Sequence, residues 1–341
     1  MTPIGADPRA TPDDPGDTPM TITGALALSA SSVHLSATFA APGDYTPHTR
    51  LFLYDEGGAP PWTAHDVGFF TVGLEKHAAH GEDLALCALS LDGEVELRSA
   101  RGAVIEQIPE AGLRRPTSKG YGFLTALRRV GDRLFACGSA GQVYRRLGPG
   151  RWAHADAGLL QAPGVDFQDL VRPIDLQGTA EDDIYLAAQQ LGPRGLEGSL
   201  YHLGGPRWRR LEVPPVGGLN AVHVESAQRI WVCGHEGALL VGNRRDGFRS
   251  VSRERSPHLF HAVAMYQETL YLGSNFGLFR YDLERRRALR VRTGLEQELR
   301  YIHTIEQAGG VLWCVGPTDI ARFDGETWTR VHPPEAPKSA G

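Results

Sequence analysis

The chain has 341 residues, 41% hydrophobic and 22% charged, which is enough apolar content for a globular core and excludes disorder throughout. A formal charge of −5 gives no overall attraction to nucleic acid or to an anionic membrane, and neither is an expected partner. The 41 Gly and 23 Pro follow no Gly-X-Y period and read as turns between many short elements, so an all-β fold is expected. No apolar run approaches the roughly 18 residues of a membrane helix and no secretory signal is recognisable, so the expectation is a cytoplasmic chain.

Residues 1–19, rich in Pro, Asp and Thr, read as a disordered leader. Residues 21–29 have β-like apolar content. They read either as the first strand of the first repeat or as a strand closing a ring beside the last one. A unit then recurs: an apolar run, a small turn ending in Gly, a second run, then an aromatic. Weak copies start at Val33, Leu84 and Ile184; clear copies start at Leu134, Ile230, Leu270 and Leu312. The starts are spaced 51, 50, 50, 46, 40 and 42 residues apart. Their mean of about 46 is near the length of a four-stranded propeller blade. Seven starts imply seven blades over 20–335, with 336–341 as a flexible tail.

Within each unit the order of strands is legible. A preceding strand is expected at 123–128, 221–224, 261–265 and 301–305, followed by the marked strand. Gly-bearing turns such as Gly138-Ser139-Ala140-Gly141 and Gly234-His235-Glu236-Gly237 then open a third strand. An aromatic strand closes the unit. All six tryptophans find places: Trp62, Trp152, Trp208 and Trp328 on outer strands, Trp231 and Trp313 on marked ones.

The segments RLFACGSAGQVYRRLGPGRWAHAD (133–156), LYLGSNFGLFRYD (270–282) and VLWCVGPTDIARFDGETWTRV (311–331) resemble the bacterial BNR/YVTN/WD40-like repeat propellers. The resemblance implies a closed seven-bladed β-propeller of four-stranded antiparallel blades and specifies fold more than activity. The stretch nearest to a BNR Asp-box, Phe323-Asp324-Gly325-Glu326-Thr327-Trp328, sets Asp and Gly side by side, which weakens a sialidase-like reading.

His223, His261 and His303 are expected on strands lining the central channel. His261 and His303, each nine residues before their marker, should be equivalent around the axis. Imidazoles so placed bind a metal or anion, or simply bond channel water and backbone; no metal and no cofactor are expected. Cys87, Cys137 and Cys233 each lie three residues past a marker and, with Cys314, read as small buried hydrophobes. His77 and His80, beside Glu75, Glu82 and Asp83, read as solvated.

Residues 201–300 carry 16 Arg and 10 acidic residues, a local +6, leaving −11 for the remainder. Arg244, Arg245, Arg285, Arg286 and Arg287 fall in equivalent turns of adjacent blades and form one expected patch, either solvated or docking an acidic protein surface. Extra length at 113–120, 159–165 and 189–198 is expected to project from one face. Arg114, Arg115, Lys119, Tyr121, Gln189, Gln190 and Arg194 are the contact residues it nominates. The expected function is a non-catalytic, monomeric recognition module for a protein partner: a scaffold, an adaptor or a neutralising binder. The alternative is a propeller hydrolase or lyase at the channel mouth, using His261 and His303.

Overall fold

A computed structural model describes residues 20–39, 46–78, 84–193, 195–252 and 256–334; the expected leader and tail lie outside them. Among the described residues, seven four-stranded antiparallel sheets are each built from four consecutive strands. Blades 1 to 7 occupy 20–67, 71–107, 124–154, 172–211, 219–250, 260–290 and 304–330. The first strand of each blade packs against the first strand of the next. That of blade 1 also packs against that of blade 7, so the ring is closed. The strand Met20–Ala27 belongs to blade 1, which settles its place.

The central residues of the marked strands are mostly apolar because both of their faces are buried. In Arg133–Gly138, Leu134 and Ala136 join the core between blades 2 and 3, while Phe135 and Cys137 join the core between blades 3 and 4. Alternate side chains point to opposite faces of a strand, so a blade sandwiched between two others needs hydrophobes on both. Seven such inter-blade clusters run round the ring, the one between blades 7 and 1 joining Trp313 and Val315 to Ile22 and Leu35. All six tryptophans sit on the strands expected. The four cysteines are free and buried, and burial pushes the Cys137 thiol up to about 12.

The Gly-bearing turns have the required geometry. Ala140 and Gly141 take φ of 58° and 73°, and a side chain at Gly141 would come within 2.3 Å of the Leu159 carbonyl oxygen. Two segments differ from expectation. Residues 189–198 are not a loop: the strands Asp183–Gly192 and Gly195–Leu203 stay paired to Gly192 and Gly195, making a hairpin that outreaches its neighbours. The inner strand of blade 7 is Thr304–Ala308, so Tyr301 and His303 precede it rather than lie within it.

The inner strands belong to separate sheets, so their channel-side backbone groups need partners from elsewhere. Side chains of the preceding blade supply them. Glu75 accepts from Arg129 N (3.0 Å), Asp175 from Val222 N (3.0 Å), His223 Nε2 from Met265 N (3.2 Å) and Glu306 from Ala27 N (2.7 Å). Register shifts that skip Thr125, Asn220 and His261 turn these side chains toward the next blade, where Thr125 donates to Pro173 O and Asn220 to Phe260 O.

Candidate partner-binding surface

Three regions gather the residues the sequence singles out. The first is the central channel, a cavity of about 470 Å³ lined by His223, His261, His303, Arg128, Asp175 and Glu306 among others. Each imidazole is engaged across a blade boundary. His303 Nε2 donates to Ile22 O at 3.1 Å, the Tyr301 hydroxyl lies 2.8 Å from His261 Nε2, and His223 accepts from Met265 N. Burial, with His303 and His235 nearby, pushes His261 down to about 4, and burial also lowers His223 and His303. The three are therefore neutral hydrogen-bonding links. Among the described residues, no group of three or more His, Cys, Asp or Glu converges as a metal-binding set.

Sequence reasoning missed the channel carboxylates. Asp175 pairs with Arg128 at 2.9 Å. Burial drives the Glu306 carboxyl up to about 7, opposed by Arg128 and reinforced by Glu75. Glu306 therefore holds its proton more tightly in the folded chain than at its ordinary value of 4.5, so stability falls as pH rises from about 4.5 to 7. Glu306→Gln keeps an acceptor for Ala27 N–H and is expected to remove that loss. Urea midpoints at pH 5 and pH 8 should lie closer together in the variant; an unchanged gap would exclude Glu306 as the cause.

The second region is one end of the blades. Because strands alternate in direction, the turns between second and third strands share an end with the blade-to-blade connections. The extra length at 113–120, 159–165 and 189–198 is all there. The 113–120 segment is tied to its own scaffold: Leu113 N and Arg114 N both donate to Asp92 Oδ1, and the Arg114 guanidinium lies over the Phe123 ring at 5.0 Å. Arg115 pairs with Glu94, and Lys119 lies 4.0 Å from Glu110. Tyr121 meets the His154 ring edge-on, and His154 Nδ1 lies 2.7 Å from Asp156. Gln189 is buried and donates to Asn220 Oδ1, so it supports the surface from below, while Gln190 donates to Asp169 O. Arg194 lies outside the described residues.

Large apolar side chains stand exposed at this same end: Phe167 (63%), Leu113 (48%), Phe276 (45%) and Leu191 (38%). The Arg172 guanidinium lies 5.3 Å from the Phe167 ring centroid. Large apolar groups on loops of a rigid scaffold, rimmed by charge, are what a protein interface offers.

The third region, the arginine turns, joins third to fourth strands at the other end of the blades. Each turn leans on the preceding blade. Arg244 N donates to the Tyr185 hydroxyl with Asp183 at 3.7 Å from its guanidinium, and Arg286 donates to Val251 O and Ser250 O. Arg285 is tied to Asp282, while Arg245 and Arg287 are exposed. The two sets of contact residues therefore face opposite ends of the disc. His77, expected in solvent, is instead buried between blades 2 and 3, its Nε2 3.1 Å from the Arg146 guanidinium; His80, Glu82 and Asp83 lie outside the described residues.

No family model matches the chain. Among solved structures it is similar to the WD40 propeller domain of Doa1, with a TM-score of 0.57 at 10% identity over 90% of this chain and 93% of that one. It is also similar to YCF48 bound to a D1 peptide, with a TM-score of 0.50 at 10% identity over 76% and 81%. Among curated proteins it is similar to the immune protein Tsi7 of Pseudomonas aeruginosa, 28% identical over 226 residues, 66% of this chain and 69% of that protein. The chain is a seven-bladed propeller distantly related to Tsi7. On this propeller, Phe167 and Leu191 are the residues sequence reasoning passed over. The signal available for them was a large apolar residue within the extra length at 189–198 for Leu191, and two residues past the extra length at 159–165 for Phe167.

Proposed function

We propose that the chain is a non-catalytic binder that neutralises a protein toxin by covering its working surface, in the cytoplasm of the cell that makes it. The observation that carries this reading is the similarity to an immune protein over two thirds of the chain. The exposed Phe167, Leu191, Leu113 and Phe276 at the connection end support it, because interface anchors are large side chains placed in a desolvated centre.

The test is neutralisation of the product of the neighbouring gene in a growth assay, followed by titration of the two purified proteins. A binder protects at one-to-one stoichiometry and saturates there. Protection by a small fraction of an equivalent would instead indicate turnover and favour a hydrolase or lyase at the channel mouth. Phe167→Asp with Leu191→Asp is expected to weaken the complex by about 30-fold or more, the scale of losing an interface anchor. Both side chains are exposed, so the fold should persist; unaltered affinity in the double variant would move the interface elsewhere.

A further inference from the structure

Beside the outreaching hairpin of blade 4 lies a groove of about 560 Å³. Its walls are the third strand of that blade just past the hairpin turn, the connection from blade 4 to blade 5, and Glu236 in the turn of blade 5. The connection is fastened along the hairpin by Gly198 N donating to Val216 O and by a bridge between Glu197 and Gly217, so the groove is built on paired backbone. Leu196, Leu211, Val213 and Val216 make it apolar, while Glu197 and Glu212 set two carboxylates at its edge beside one cation, Arg210. Among the described residues, neither Glu197 nor Glu212 forms an ion pair within 4.0 Å. Glu197 packs over Gly192, where a side chain would come within 2.3 Å of its carboxyl carbon.

We infer that this groove receives a Lys- or Arg-bearing segment of the protein partner, an inference that rests on the protein-binding reading above. An apolar wall rimmed with carboxylates suits a side chain that is itself divided, with methylenes against Leu196 and Val213 and a cationic head among the glutamates. An acidic segment would place its charge beside Glu197 and Glu212 and be repelled. The site opens at the same end as Phe167 and Leu191, so one partner surface could engage both. The sequence pointed instead to arginine turns and an acidic partner, and those turns lie at the opposite end of the blades.

The first test uses a fluorescein-labelled, C-terminally amidated Leu-Arg-Leu-Arg peptide and its Leu-Glu-Leu-Glu counterpart, read by anisotropy at low salt. The basic peptide is expected to bind and the acidic one not. Glu197→Gln with Glu212→Gln should weaken the basic peptide about tenfold, a loss of about 1.4 kcal/mol, and Arg210→Gln should tighten it. Equal binding of both peptides, or no change in the double variant, overturns the inference. The second test places Glu197→Lys with Glu212→Lys in the neutralisation assay, where protection should fall and wild-type circular dichroism should show the fold intact. Full protection by that variant overturns the groove while leaving the protein-binding reading in place. Absence of protection by the wild-type chain overturns that reading whatever the peptides do.

Discussion

Glu106→Ala is expected to destabilise the protein by about 3–5 kcal/mol, the scale for removing one member of a buried ion pair. Glu106, on the outer strand of blade 2, and Arg146, on the third strand of blade 3, are each only 4% exposed and pair at 2.8 Å. The carboxylate also accepts from Gly150 N and from the Trp152 indole, both at 2.8 Å. Burial alone would raise its pKa, but these hydrogen bonds and the guanidinium outweigh burial and hold it below the usual carboxylate range. A depressed folded-state pKa contributes stability above the unfolded value of 4.5 that is lost as pH falls through the folded one. Glu106→Ala should therefore be costly at neutral pH, and the deficit should shrink in acid. Adding Arg146→Met should recover much of the loss by removing the buried charge that Glu106 balances. Urea unfolding of the two single variants and the double decides it. A double variant no better than Glu106→Ala would show that the loss is one of packing.

This cluster also marks where sequence reading stopped. The marked strands were legible because both of their faces are buried, leaving unbroken apolar runs such as Leu134–Cys137 and Ile230–Cys233 before glycines that turns require. Glu106 and Arg146 lie 40 residues apart and face each other only once blades 2 and 3 stack. Nothing local distinguishes them from solvated charges, and His77 was misread for the same reason. The links across the channel were hidden differently. Thr125, Asn220, His261 and His303 perform one task with three residue types, and the first three stand where a register shift skips a residue, so what repeats is a backbone position and not a side chain. A histidine there looks like a ligand when read alone. The extra length at 189–198 reads as a loop because its glycines suggest turns, yet eight of its residues remain in register with partners across the strand pair. The face that carries the extra length was legible. Which side chains on it stand free was not, because Arg114 and Arg115 meet Asp92 and Glu94 only after folding.

Trp313→Ala is expected to cost about 3–5 kcal/mol, the range for removing a buried large aromatic side chain, and to open the ring at one place. Blade 1 is built wholly from residues 20–67 and blade 7 from 304–330, so no strand crosses the seam between them. Side chains and a few backbone contacts close it. Trp313 is 1% exposed, packs with Val33, Leu35 and Ile22, and donates from its indole to Ser29 O at 2.9 Å. Arg322 stands 5.9 Å from the Trp313 ring, donates to Ala30 O and pairs with Glu56. Ile22 N donates to Pro317 O at 2.8 Å. Trp231 occupies the equivalent marked-strand position in the seam between blades 5 and 6, where its indole donates to Glu225 at 2.8 Å. Trp231→Ala should lower stability by a similar amount, yet only Trp313→Ala should speed hydrogen exchange in Met20–Ala27 and Val311–Val315 ahead of global unfolding. In a closed ring each blade is held by two neighbours, so loss of one seam leaves blades 1 and 7 held on a single side while blade 4 is unaffected. Uniform acceleration of exchange round all seven blades in the Trp313 variant would mean that the ring unfolds as one unit and that its closure is no weaker than any other boundary.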